Sequence, residues 1–136
     1  MAKLEPGLSG ESTLTVHSDH TASHLGSGSP GVDVLATPVM IGLMEDAARD
    51  LVDPLLEPGQ MTVGVNLNIN HLAATPVGMK VTARAELTGV DGRWLTFKVE
   101  ARDELDKVGE GTHTRAIINL ERFMARAKEK AAGLES

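Results

Sequence analysis

From Val39 to Leu55 the apolar residues fall at Val39, Met40, Leu43, Met44, Ala47, Ala48, Leu51, Val52 and Leu55. Steps of three and four put them on one face of a helix. Thr37 and Pro38 mark its start. A threonine hydroxyl can cap free N–H groups, and proline suits the first helical position because its missing N–H has no partner there. Pro54 and the run Glu57-Pro58-Gly59 end the helix. The period then drops to two. Val63, Val65, Leu67, Ile69 and His71 alternate with Gly64, Asn66, Asn68 and Asn70, which predicts a strand with one apolar face. Met79 to Leu87 predicts a second strand, and Leu95, Phe97, Val99 and Ala101 a third, with Asp91-Gly92 as the hairpin signal between them. Lys107 to Leu120 predicts a long last strand, in which Gly109 and Gly111 permit bending or close approach of a ligand.

Two flanking regions complete the pattern. Ser12 to His17 alternates enough to be an initial strand, and Ser18 to Asp33, rich in Ser, Gly and His, reads as a loop over a site. Residues 121–136 read as a short charged helix. A length of 136 residues makes one domain, with residues 1–11 and about 126–136 expected to be loosely ordered. A sheet with a single long apolar helix needs that helix laid on one face. The expected class is α+β, and the order resembles the hotdog fold, an antiparallel sheet wrapped around one long central helix.

Charge and composition narrow the function. The formal charge of −6 leaves no basic footprint for nucleic acid, and Lys and Arg are scattered apart from a cluster in the last fifteen residues. No apolar run is long enough to span a membrane, and the first residues lack the basic start and apolar stretch of a signal peptide, so the default expectation is a cytoplasmic protein. With no cysteine there is no disulfide, thiolate metal site or cysteine nucleophile. Trp94, Phe97 and Phe123 are the whole aromatic content, too little for a base-stacking platform. No metal site is expected, because His17, His20 and His24 lack a convincing ligand spacing. No cofactor is expected either.

Three residues stand out against the pattern. Glu45 interrupts an uncharged run in the first half of the helix; it is either a stripe-edge carboxylate reaching solvent or a partly buried base or nucleophile. His71 shares the parity of the apolar strand face, which makes it either a core-face histidine or a proton carrier. Thr37 is explained as a cap, and it also sits beside free N–H groups and the positive end of the helix dipole. His113 falls on the more polar parity of the last strand. Arg115 is suited to pair with an acid or hold a phosphate, and Gly64 to let a ligand approach the backbone.

At these residues the chain resembles the fluoroacetyl-CoA thioesterase family of the hotdog superfamily. Ala36-Thr37 leads into Met40-Ile41-Gly42-Leu43-Met44-Glu45; His71 precedes Ala73-Ala74-Thr75-Pro76 and Gly78; Gly109 to Ile117 reads GEGTHTRAI. The resemblance implies an acyl-CoA thioesterase with Thr37, Glu45 and His71 in the active site and Gly64 and Arg115 assisting substrate binding. It implies a homodimer with sites at the subunit interface, acting on a small acyl thioester. The fluoroacetyl-specific enzyme carries a phenylalanine lid before its threonine, whereas residues 18–36 here contain no Phe. The alternative within the same fold is a non-catalytic module that binds acyl-CoA or a small hydrophobe.

Overall fold

In the computed structural model, which describes residues 3–134, five antiparallel strands form one sheet. The elements run β1 (Ser9–Thr15), α1 (Thr37–Val52), β2 (Gln60–His71), β3 (Lys80–Asp91), β4 (Trp94–Arg102), β5 (Lys107–Asn119) and α2 (Leu120–Ala132). The spatial order is β1-β3-β4-β5-β2, which leaves β2 as an edge strand. Helix α1 lies on one face of the curled sheet. Its buried side chains are Met40, Leu43, Met44, Ala47, Ala48 and Val52, all on the expected stripe. They meet Val81, Ala83, Ala85 and Leu87 of β3 and Leu95, Phe97, Val99 and Ala101 of β4. Those eight residues were the apolar parity of their strands, so the packing of α1 on the sheet follows from two interlocking periods.

The ends and one strand differ from expectation. The first strand takes in Ser9, Gly10 and Glu11, which pair with Glu86, Ala85 and Arg84. Leu4 and Leu8 pack against the core ahead of it. The terminal helix is continuous to Ala132, started by the Asn119 side chain accepting from the Arg122 N–H. Residues 9–11 thus lie in β1 and residues 126–132 in α2; residues 1–2 and 135–136 lie outside the described set. Among the described residues no helix is long and apolar enough to cross a membrane.

Strand β2 does not keep one parity. Its register against β5 shifts between Gly64 and Asn66, so Val65 is the extra residue of a bulge. Before the bulge Gly64 stands opposite Arg115; after it Leu67, Ile69 and His71 stand opposite His113, Gly111 and Gly109. Directly opposed residues point to the same face, so Thr62, Gly64, Leu67, Ile69 and His71 share the helix side, while Val63 faces away. The close approach allowed by Gly109 is used by the protein itself: a Cβ there would lie 2.5 Å from the Met40 sulfur.

Candidate active site

The sequence-marked residues gather in two clusters. At the start of α1 the helix cap is Ala36, which offers no side-chain bond, and Thr37 is the first helical residue. This corrects the expectation of Thr37 as cap, and it matters: a capping hydroxyl would be tied to the backbone of its own helix. Instead the Thr37 hydroxyl lies 2.7 Å from Nδ1 of His71, at the far end of β2. The other ring nitrogen of His71, Nε2, is buried and has no hydrogen-bond partner among the described residues. Buried polar atoms are rarely left so, which makes Nε2 a waiting donor or acceptor.

A cleft of about 390 Å³ opens beside this pair, lined by Thr37, His71, Ala22, Val32, Val34 and Leu72 among others. The segment before α1 forms its wall. That segment is more than a loose cover. Leu35 is buried in the core, Thr21 bridges to Leu35, and Val34 bridges to Pro76.

The second cluster surrounds Glu45. Its Oε2 lies 3.6 Å from Nη1 of Arg115, a guanidinium that is almost wholly buried. Gly64 lies directly beneath: a Cβ there would be 2.6 Å from Glu45 Oε2, 3.3 Å from His113 Cε1 and 3.6 Å from Arg115 Nη1. Only a residue without a side chain leaves the carboxylate this position. Arg115 is anchored independently of Glu45. Its Nε donates to the Thr62 hydroxyl at 2.7 Å and its Nη2 to the Thr62 carbonyl at 3.0 Å. The Thr62 hydroxyl in turn donates to Asp53 at 2.6 Å. Burial pulls the Arg115 pKa below its ordinary value, with Asp53 and Glu45 opposing the shift.

His113 is the residue that sequence parity ranked too low. It is fully buried on the helix side of β5, 5.9 Å from the Phe97 ring. Its Nδ1 lies 2.8 Å from the Asn66 carbonyl and its Nε2 3.2 Å from Arg115 Nη1. A carbonyl only accepts, so Nδ1 carries the proton and Nε2 accepts from Arg115. Burial lowers its pKa, the Asn66 bond works against that, and the Arg115 charge adds to the lowering. A neutral imidazole thus props the guanidinium that faces Glu45. His113 was placed on the polar side because β5 reads as polar there, and Thr62 was missed because the bulge that turns this part of β2 to the helix side has no local signal.

The two clusters are separated within one chain. Glu45 is eight residues along the helix from Thr37, a rise of about 12 Å. The Thr–His pair sits at the start of α1 and the end of β2, while the carboxylate lies at the middle of α1, over Gly64 near the middle of β2.

The central helix under a five-stranded antiparallel sheet defines the hotdog fold. The family described as FlK, fluoroacetyl-CoA-specific thioesterase, matches residues 16–121. The chain belongs to that family. A fluoroacetyl-CoA thioesterase of Streptantibioticus cattleyicolor is 45% identical over 114 residues, 81% of this chain and 82% of that protein. A threonine-to-serine variant of the fluoroacetyl-CoA enzyme, solved in complex with acetyl-CoA, is 40% identical and superposes with a TM-score of 0.88, covering 93% of this chain and 98% of the other. A hot-dog-like protein from Thermanaerovibrio acidaminovorans, 21% identical, shares the fold with a TM-score of 0.84 over 92% of this chain and 91% of its own.

Proposed function

We propose that this protein is a cytoplasmic homodimeric acyl-CoA thioesterase that hydrolyses a small aliphatic acyl thioester, with Thr37, Glu45 and His71 as its reacting groups and Gly64 and Arg115 in support. The observation that carries the reading is the 2.7 Å contact between Thr37 and His71, with the second imidazole nitrogen buried and unpartnered beside an apolar cleft.

Hydrolysis forms a C–O bond at the acyl carbon and breaks the C–S bond. Either Glu45 deprotonates a water that attacks the acyl carbon, or its carboxylate attacks first, giving a mixed anhydride that a water then cleaves to release the acid and restore Glu45. The departing thiolate takes a proton from His71, held in orientation by Thr37. The start of α1, where the first N–H groups have no intrahelical partner, suits the developing oxyanion. Arg115 keeps Glu45 aimed, and Gly64 keeps its place open.

Separation of the two clusters supports a shared site. Edge strand β2 is twelve residues long and exposes Val65 and Leu67. Such an edge invites pairing. A second copy paired antiparallel along β2 brings the His71 end of one strand beside the Gln60–Gly64 end of the other. Thr37 and His71 would then face the partner subunit's Glu45. The acyl end of the site is aliphatic. Residues 18–36 contribute Ala22, Val32 and Val34 to the cleft and carry no phenylalanine, which favours unsubstituted short acyl groups over fluoroacetyl.

The test is thiol release from a panel of short acyl-CoA thioesters, fluoroacetyl-CoA included, by wild type, Glu45→Gln and His71→Ala. Loss in both variants is expected. Equal rates in all three would overturn the assignment. Tight acyl-CoA binding without thiol release in the wild type would favour the binding module instead.

A further inference from the structure

One carboxylate beside the site takes no part in the reaction. Asp53 stands at the C-terminal cap of α1, eight residues beyond Glu45, where the negative end of the helix dipole disfavours an acid. Asp46 and Asp50 pair with Arg49, and Glu45 with Arg115, but Asp53 makes no ion pair among the described residues. It is half-buried against the start of β2 instead. There its Oδ1 accepts from the Thr62 N–H at 3.2 Å and from the Thr62 hydroxyl at 2.6 Å.

The second of these bonds has a consequence for Arg115. A hydroxyl has one proton, a carboxylate only accepts, and a guanidinium only donates. With the Thr62 proton drawn to Asp53, a lone pair is presented to Nε of Arg115, 2.7 Å away. Without Asp53 the hydroxyl is free to turn its proton toward Nε, which breaks that bond. Thr62 and Arg115 are both almost wholly buried, so bulk water does not take over the role. Burial lowers the Arg115 pKa, and among the carboxylates that oppose it Asp53 acts more strongly than Glu45 or Asp46. Glu45 depends on the result. Its side chain is 36% exposed, and the 3.6 Å ion pair with Arg115 is its one polar contact among the described residues.

We propose that Asp53 is a positioning residue for the reacting carboxylate: it sets the direction of the Thr62 hydroxyl, which locks Arg115 in the orientation that holds Glu45. The inference rests on the thioesterase reading above and adds the groups that stand behind Glu45. The relay starts and ends on α1, passing through β2 at Thr62 and β5 at Arg115.

The experiment measures kcat and KM for thiol release from the fastest thioester of the short acyl-CoA panel. The variants are Asp53→Ala, Asp53→Asn, Thr62→Val, Thr62→Ser and the double Asp53→Ala/Thr62→Val. The control is Asp50→Ala, an exposed carboxylate near the end of the same helix. Thermal melts check folding, and Thr62→Val, which keeps the side-chain shape, decides the matter if Asp53→Ala does not fold. In Asp53→Ala and Thr62→Val kcat should fall by about tenfold or more while KM stays within about threefold. Asp53→Asn keeps the acceptor and Thr62→Ser the hydroxyl, so both should recover most of the loss. The double variant should be no slower than Thr62→Val alone, because the two groups act as one unit. The control should keep the wild-type kcat. A mere tether between α1 and β2 would lower melting temperatures without this kcat pattern. Unchanged kcat in Thr62→Val, a rise in KM alone, losses that multiply in the double variant, or an equal loss in Asp50→Ala would each overturn the proposal and leave the thioesterase reading standing. If wild type cleaves no thioester, that reading falls, and crystal structures of Asp53→Ala and Thr62→Val decide the relay. Arg115 turned away from Glu45 would support it, and an undisturbed Glu45–Arg115 pair would overturn it.

Discussion

A Cβ on Gly64 would stand 2.6 Å from Oε2 of Glu45, so the carboxylate occupies the space that any other residue's side chain would take. The backbone at Gly64 is not in the left-handed region, and the clash falls on the free end of a flexible side chain. Gly64→Ala is therefore expected to cost under about 1 kcal/mol of stability, the mild end of overpacking. It should still push Glu45 away from Arg115 and lower kcat at least tenfold. Denaturant unfolding beside steady-state kinetics checks both halves; a normal kcat would show that the carboxylate's position is not critical.

Thr37 is exposed and not a cap, so its hydroxyl matters through His71. Thr37→Val keeps the shape and removes the bond. Stability should change by about 0.5 kcal/mol or less, as for an exposed site. The kcat/KM should fall by about a hundredfold, within the range for a lost proton-transfer arrangement. Thr37→Ser, which restores the hydroxyl, should recover most of it. Equal activity in the Val and Ser variants would assign Thr37 to helix geometry alone.

Arg115 is held by four groups: Thr62 through its hydroxyl and its carbonyl, His113, and Glu45. Lysine cannot reproduce that fork. Arg115→Lys is expected to lose about 2–4 kcal/mol, because it leaves buried acceptors unpaired and moves the charge off Glu45. Calorimetric melting measures the loss. A change within error would mean the fork is redundant.

Stability should depend on pH through His113. Its pKa is lowered from 6.5 in the folded chain, chiefly by burial. The unfolded chain then binds the proton first as pH falls. The contribution is complete above about pH 6.5 and declines as pH drops from there toward the folded value. Denaturant midpoints from pH 8 to pH 5 should show that decline, and His113→Gln should flatten it. An unchanged acid slope in the variant would place the titration elsewhere.

Much of the architecture was legible in the residues. Helix α1 was readable because Pro38, Pro54 and a three-and-four period are all local. Strands β3 and β4 were readable because a strand with one buried face must alternate. Ser18 to Asp33 read as a loop for want of apolar pattern, yet the buried Thr21 within it and Leu35 and Ala36 just after it tie the segment down. Thr37, Glu45, His71, Gly64 and Arg115 were each visible as chemistry, through spacing and family likeness. Their grouping into a Thr–His pair and a Glu–Gly–Arg cluster was not, since it joins residues tens of positions apart.

By itself, then, the sequence determined the periods, the helix limits and the chemical inventory, because each depends on neighbours within a turn or a hairpin. Only the tertiary structure decided the rest. The bulge at Val65 reverses the parity of β2 and sets Thr62 and Gly64 on the helix side, a choice made by pairing with β5 rather than by β2's own residues. Burial then turns His113 into a neutral prop for Arg115. The meeting of Asp53 with Thr62 and Arg115 requires a helix end and two strands to converge in space, and no local period encodes that distance.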